Sequence, residues 1–218
     1  MEVVELRGLV VRTIAVGAMD NNVYLLTSRA DGAQLLVDAA ADPAAIEALL
    51  AAAEGDAERP RLRYVLTTHS HHDHFGALAD VVAAHPGVRT LAGNADADEV
   101  TAATGVGIDR RLNHGDVLGL GAVELAVIGL RGHTPGSVAI AYTESGSPAQ
   151  VFTGDSLFPG GVGNTGADEQ RFESLFSDVV SRIFEVYRDD AVIWPGHGRP
   201  TVLGSERPQL EDWRRRGW

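Results

Sequence analysis

The chain has no cysteine among its 218 residues. No disulfide can hold the fold, and no thiolate can ligate a metal or attack a substrate. Lysine is missing as well: all 18 basic residues are arginine. Schiff-base and lysine-nucleophile chemistry are thereby excluded. Cations are outnumbered by 30 acidic residues, which leaves a formal net charge of −12. An acidic surface repels polyphosphate, so nucleic acid is not expected as a partner. No apolar run reaches the ~20 residues of a membrane-spanning helix. The opening stretch "MEVVELRGLVVRTIAVG" begins with acid rather than base, and Arg7 and Arg12 interrupt its apolar residues. It does not read as a secretion signal, and a cytoplasmic protein without membrane contact is expected.

What is present fits a globular chain. The hydrophobic fraction is 44%, and this length suits one domain, residues 1–218, with a full core. The segments "LVVRTIAVG", "NNVYLLTS" and "AQLLVDAA" read as successive antiparallel strands, with an Asp-Gly hairpin signal in "SRADGA". Asp42-Pro43 opens a helix as N-cap and first helical residue, and Ile46, Leu49, Leu50 and Ala53 form its buried stripe. "RLRYVLTT" is a strand, "FGALADVVAAH" a helix halted by Pro86, "VRTLAG" a strand and "ADADEVTAA" a short helix. Strands return in "VLGLGAVELAVIGL", "SVAIAYTE" and "AQVFTGD". Phe172, Leu175, Phe176, Val179, Val180, Ile183 and Phe184 then recur at helical spacing on one face, and "AVIWPGHG" ends the pattern. Strands and helices thus alternate in two similar halves, an α/β (α+β) arrangement of two sheets with helices outside.

Polar residues collect where apolar strands end. "THSHHDH" follows "YVLT", "GHTPGS" follows "LAVIGL", "TGDS" follows "QVF" and "PGHG" follows "AVIW". Rigid scaffolds present reactive groups on loops at such ends, and the glycine beside each lets the backbone turn sharply. His69 and His71 are two apart, so on extended backbone both imidazoles point the same way and can reach one ion. Asp73 and His74 lie where the chain turns, aimed at a neighbouring spot. Two adjacent ligand sets suggest two metal ions, completed by His133, Asp155 and His197 from the other strand ends.

The run His69, His71, Asp73 and His74 resembles the H-x-H-x-D-H signature of the metallo-β-lactamase fold superfamily. "GHTPGS", "FTGDSLF" and "PGHG" are similar to its downstream motifs, in the same order. The resemblance spans nearly the whole chain and implies a four-layer αββα sandwich of two mixed sheets flanked by helices. It implies His69, His71 and His133 on one metal, Asp73, His74 and His197 on the other, and Asp155 bridging both. The cofactors implied are two divalent ions, zinc first, with iron or manganese as alternatives, because affinity order alone does not choose among them for His/Asp ligands. A hydroxide shared by such ions is a nucleophile at neutral pH that needs no serine or cysteine, with Asp73 orienting it as the catalytic residue.

Within the superfamily, an aspartate at position 155 is unlike the β-lactam-cleaving branches. His71 stands where the flavodiiron branch has Glu, and the acidic surface is unlike the ribonucleases. The glyoxalase II-like branch remains, which implies hydrolysis of a small thioester or ester. The glutathione-contacting lysines of that branch have no counterpart in a lysine-free chain, and about twenty residues follow "PGHG" where the branch continues into a helical region. Gly163, Asn164 and Thr165 replace its Gly-Arg-Thr. A thiol carrier other than glutathione, or another small ester, is therefore expected. Arg199 and Asn164 are the candidate substrate contacts, and the partner is a small molecule. Two alternatives share the motif. One is a persulfide dioxygenase-like oxidoreductase with one iron on His69, His133 and Asp155; the other is a lactonase. His72 occupies a variable position and is read as a bystander. His85 is read as a helix-end residue favoured by the dipole, and His114 as part of a turn. Tyr24 and Trp194 are read as core, and Arg214, Arg215 and Arg216 as a solvated face. The glycines of "PGGVGNTG" do not join a strand to a helix as a dinucleotide site requires.

Overall fold

Successive side chains of a strand face opposite sides, and this alternation builds two cores at once. In "NNVYLLTS", Val23 and Leu25 pack on one side while Tyr24 and Leu26 pack on the other. The structure, a computed structural model, describes residues 1–217. Its first sheet holds β1 (Glu2–Glu5), β2 (Leu9–Val16), β3 (Asn21–Ser28), β4 (Ala33–Val37), β5 (Arg61–Thr67), β6 (Arg89–Gly93) and β7 (Arg110–Leu112), side by side in chain order. The pairs from β1 to β4 are antiparallel and those from β4 to β7 are parallel.

The second sheet contains β8 (Val117–Leu120), β9 (Val123–Gly129), β10 (Val138–Tyr142) and β11 (Gln150–Gly154). After a separate small hairpin of β12 (Leu157–Phe158) and β13 (Gly161–Val162), β14 (Val192–Pro195) and β15 (Thr201–Val202) complete it. The order is β15-β14-β11-β10-β9-β8, and only β11 with β14 is parallel. Both sheets are mixed, as expected.

Helices cover both outer faces. α1 (Pro43–Ala52), α2 (Leu78–Ala84) and α3 (Ala97–Thr104) lie in the crossovers of the first sheet. Asp42 caps α1 through Ala45 N–H. α4 (Glu169–Val179), α5 (Leu203–Glu206) and α6 (Leu210–Arg216) belong to the second. The inner core joins Leu26, Leu35, Leu66 and Leu91 of one sheet to Ile140, Phe152 and Trp194 of the other. Ile46, Leu49, Leu78 and Val81 pack outside the first sheet, and Phe172, Leu175, Val179 and Trp213 outside the second. The layers are therefore α, β, β, α.

The expected strand "LVVRTIAVG" is β2, and a strand not anticipated, β1, pairs beside it. Two local expectations are corrected. The helix expected from Phe75 starts at Leu78, because His72–His74 spend a separate helical turn on the polar cluster. The long amphipathic helix ends as an α-helix at Val179 and widens over Val180–Phe184, where Ile183 and Phe184 stay buried. The sheets are also tied at their turns. The Glu144 carboxylate accepts from Arg7 N, Gly8 N, Tyr142 Oη and Ser147 Oγ at 2.9–3.0 Å. Burial would raise its pKa, but these donors outweigh it and hold Glu144 down at about 2.

Two outcomes are expected. Phe152 is fully buried, stacked on Trp194 at 6.2 Å and edge-on to Tyr24 at 5.1 Å. Phe152→Ala is expected to cost about 3–5 kcal/mol in chemical denaturation. Because the folded pKa of Glu144 lies near 2, below its ordinary value of 4.5, its contribution is present above pH 4.5 and lost as pH falls towards 2. Glu144→Gln is expected to flatten the acid limb of a stability–pH curve over that window.

Candidate metal centre

Parallel pairing puts strand ends on one side: β5 runs with β4 and β6, and β11 with β14. Past β5 the chain runs through His69 and turns once at His72–His74. His133 lies between β9 and β10, Asp155 directly after β11, and His197 just after β14. The fold brings these seven side chains together. Ligand atoms converge within 4.8 Å in three groups: His69, His71 and His133; His69, His74 and Asp155; and Asp73, His74 and His197. Asp155 reaches both sides. Its Oδ1 is 3.5 Å from His74 Nε2, and its Oδ2 is 3.4 Å from His197 Nε2 and 3.8 Å from His133 Nε2. Asp73 Oδ2 lies 3.3 Å from His197 Nε2.

The outer nitrogen of four imidazoles is tied to an acceptor, and that fixes the inner one. His74 Nδ1–H donates to Asp38 Oδ2 at 2.9 Å, His133 Nδ1–H to Asn164 O at 2.7 Å and His197 Nδ1–H to Met19 O at 2.9 Å. Thr68 spends its hydroxyl proton on Asp38 Oδ2 at 2.8 Å, so Thr68 Oγ1 accepts from His69 Nδ1–H at 3.0 Å. In its neutral form each of these rings then presents an Nε2 lone pair inward. The inward atoms crowd one another: His74 Nε2 and His197 Nε2 are 3.2 Å apart, and His69 Nε2 and His71 Nδ1 are 3.1 Å apart. Two facing lone pairs repel at that distance unless a proton or a cation lies between them. The buried Nε2 of His133 and Oδ1 of Asp155 have no hydrogen-bond partner. Orphaned donors of this kind in a His/Asp set suit a divalent cation, and buried polar atoms elsewhere are normally satisfied.

The electrostatics divide the rings into two pairs. Burial pushes His69 and His133 below the ordinary histidine pKa, which keeps them in the neutral form a metal needs. Burial opposes charge on His74 too, but Asp38 and Asp155 outweigh it and lift it to about 10. The Asp155 hydrogen bond raises His197. Burial works to raise Asp155 and Asp73, yet His197 and His74 hold Asp155 far below the usual carboxylate range, and Asn21 Nδ2 with His74 lowers Asp73.

The remaining candidates sit as follows. His72 is exposed and outside all three groups. His85 is bound to Glu47 at 2.8 Å rather than only facing a helix end. His114 lies in the turn between β7 and β8, and Tyr24 and Trp194 are core. Asn164 turns its carbonyl to His133 and its side-chain oxygen to Gly166 N–H, and its side chain is exposed. Arg199 is exposed and makes no hydrogen bond or ion pair among the described residues. Arg214 and Arg215 are exposed and paired with Glu173 and Asp212.

Sequence reasoning missed Asp38, Thr68 and Asn21. Asp38 closes the apolar run "AQLLVDAA", and an acid at the end of a buried strand was the available signal. Asn21 donates to Asp73 Oδ2 at 2.8 Å, and nothing in the sequence separates it from Asn22.

Gly196 tests the closeness of the packing. A Cβ there would lie 2.1 Å from Asp155 Oδ1 and 2.7 Å from His74 Cε1. Gly196→Ala is expected to weaken divalent-metal uptake at least tenfold, read by elemental analysis, with the near-UV circular dichroism of the wild type retained.

The family model described as the metallo-beta-lactamase superfamily matches residues 16–197. A hydroxyacylglutathione hydrolase of Rhodospirillum rubrum is 36% identical over 158 residues, covering 72% of this chain and 56% of that protein. The hydroxyacylglutathione hydrolase GloC of Haemophilus influenzae is 32% identical over 161 residues, covering 67% of this chain and 73% of that protein. The chain spans about half the length of the first curated relatives it matches. A solved structure, TTHA1623 in a di-iron-bound form, is 32% identical with a TM-score of 0.66, covering 90% of this chain and 96% of the other. Matched motifs, αββα layers and a His/Asp cluster that fits divalent metal agree: the chain belongs to the metallo-β-lactamase superfamily, in its glyoxalase II-like branch.

Proposed function

We propose that the protein is a dinuclear metal-dependent hydrolase of a small thioester or ester. The observation that carries this reading is the convergence of His and Asp ligand atoms in groups on either side of Asp155. His69, His71 and His133 would hold one ion, Asp73, His74 and His197 the other, and Asp155 would reach both. The relatives' name, hydroxyacylglutathione hydrolase, and the di-iron state of TTHA1623 support it. Zinc, iron and manganese all suit this donor set.

Divalent ions in such a site lower the pKa of water towards 7 and polarise a carbonyl oxygen. The chain supplies the rest. Asp73 accepts one hydrogen bond from Asn21 and stays ionised, so a carboxylate oxygen is available to orient an attacking water and take its proton. Asp38, Met19 O and Asn164 O keep the imidazoles from rotating as charge develops. No side chain in the cluster is a hydroxyl or thiol nucleophile, which favours direct attack by water over an acyl-enzyme. Arg199, exposed and two residues past His197, is the cation offered to an anionic substrate group. Asn164 offers its side-chain amide from the opposite loop. With no lysine in the chain, the carrier of the acyl group is read as a thiol other than glutathione.

A panel of acyl thioesters on different carriers, together with plain esters and lactones, tests this. Turnover is expected to vanish with chelator and return with zinc, iron or manganese. Asp73→Asn is expected to lower kcat by about 10²–10⁴-fold. The absence of turnover above metal-free protein across the panel would sink the proposal. One iron per chain with oxygen uptake on a persulfide would replace it with an oxidoreductase.

A further inference from the structure

Asp96 stands at the N-cap of α3, where an aspartate ordinarily accepts from the N–H groups of its own helix. Here it makes no such bond. Its side chain, fully buried, is spent on two other loops. Oδ2 accepts from Ser70 N at 3.0 Å and from Thr134 Oγ1 at 2.5 Å, and Oδ1 accepts from Gly136 N at 2.6 Å. Forgoing a cap weakens a helix, so the orientation needs a return elsewhere.

The partners identify that return. Ser70 lies between His69 and His71, and Thr134 follows His133. Every histidine of one converging group is thus the direct neighbour of a residue bonded to Asp96. None of Asp73, His74 and His197 is. Those are held by Asn21, Asp38 and Met19 O. Two further features keep the seam tight. Glu99, one turn into α3, accepts from Ser70 Oγ at 2.8 Å. Glycine is needed at 136 and 93: a Cβ at Gly136 would lie 2.4 Å from Asp96 N, and one at Gly93 would lie 1.8 Å from Gly136 O.

We infer that Asp96 is a positioning residue that sets the spacing of the His69/His71 loop against the His133 loop, and so the affinity of one ion site but not the other. The inference rests on the dinuclear reading above. Asn at 96 keeps the shape of Asp but turns one oxygen into a donor facing donors. Thr134→Val removes one of the three bonds to Asp96, along with the Thr134 Oγ1 contact to Ser137 Oγ, and serves if Asp96→Asn fails to fold.

Cobalt(II) titration of metal-free protein, followed by its visible absorption and by elemental analysis, decides the matter. Asp96→Asn is expected to weaken one of two sites by roughly 10–100-fold and leave the other at wild-type affinity, and Thr134→Val to weaken the same site less. Placed on His197→Ala, Asp96→Asn must weaken the ion that remains; placed on His133→Ala, it must not. A folded Asp96→Asn protein that binds both ions as the wild type does would overturn the inference, as would equal weakening of both sites alongside a lowered Tm. Should the wild type take up a single ion, the dinuclear reading fails separately. The Asp96 inference then stands if Asp96→Asn weakens that ion, and falls if it does not.

Discussion

The carboxylate of Asp38 is the interaction on which the cluster depends. It is buried at 1% exposure and sits at φ +58°, a left-handed conformation that few residues other than glycine tolerate. From there it accepts three hydrogen bonds, from Thr68 N, Thr68 Oγ1 and His74 Nδ1. Its own N–H is bonded to Leu66 O, which ties it to β5. By taking the Thr68 proton it also decides how Thr68 meets His69. One acid therefore orients two imidazoles, His69 and His74, which share one donor group and each enter another. Without it, three buried donors lose their partner, and each such loss costs about 1–3 kcal/mol.

This arrangement explains how an acidic, cysteine-free chain gathers so many ionisable groups in one place. Burial lowers the pKa of His69 and His133, and neighbouring carboxylates raise those of His74 and His197. The backbone does as much of the holding as the side chains: Met19 O and Asn164 O each fix one ring. Asn22 and Tyr24 stitch the start of β3 to the end of β14 through Pro195 O and to the loop after it through Gly198 O. The His/Asp cluster therefore sits across the mouth between two sheets, and its geometry follows from how the sheets are clamped together.

Much of the fold was legible because it follows from period and punctuation. The apolar run in "NNVYLLTS" marked a strand, and Asp42-Pro43 marked a helix start. The four polar motifs were legible because each ends an apolar strand. The elements that were missed are short or unusual. β7 is three residues of mostly polar character, and Arg110 and Arg111 hide it. The widened turn at Val180–Phe184 keeps its hydrophobic residues buried, so its periodicity does not betray the change.

By itself the sequence determined which chemistry is available: no thiolate, no amine nucleophile, and His and Asp ligands at strand ends with glycine beside them. It also determined the layers, because hydrophobic period and turn residues act over a few neighbouring positions. Only the tertiary structure decided which lone pair each imidazole turns inward. That depends on Asp38, Asn164 O and Met19 O, groups 31–178 residues distant along the chain from the rings they hold. Hydrogen bonds act through space at about 3 Å, and no local pattern along a chain records which distant carbonyl will arrive there.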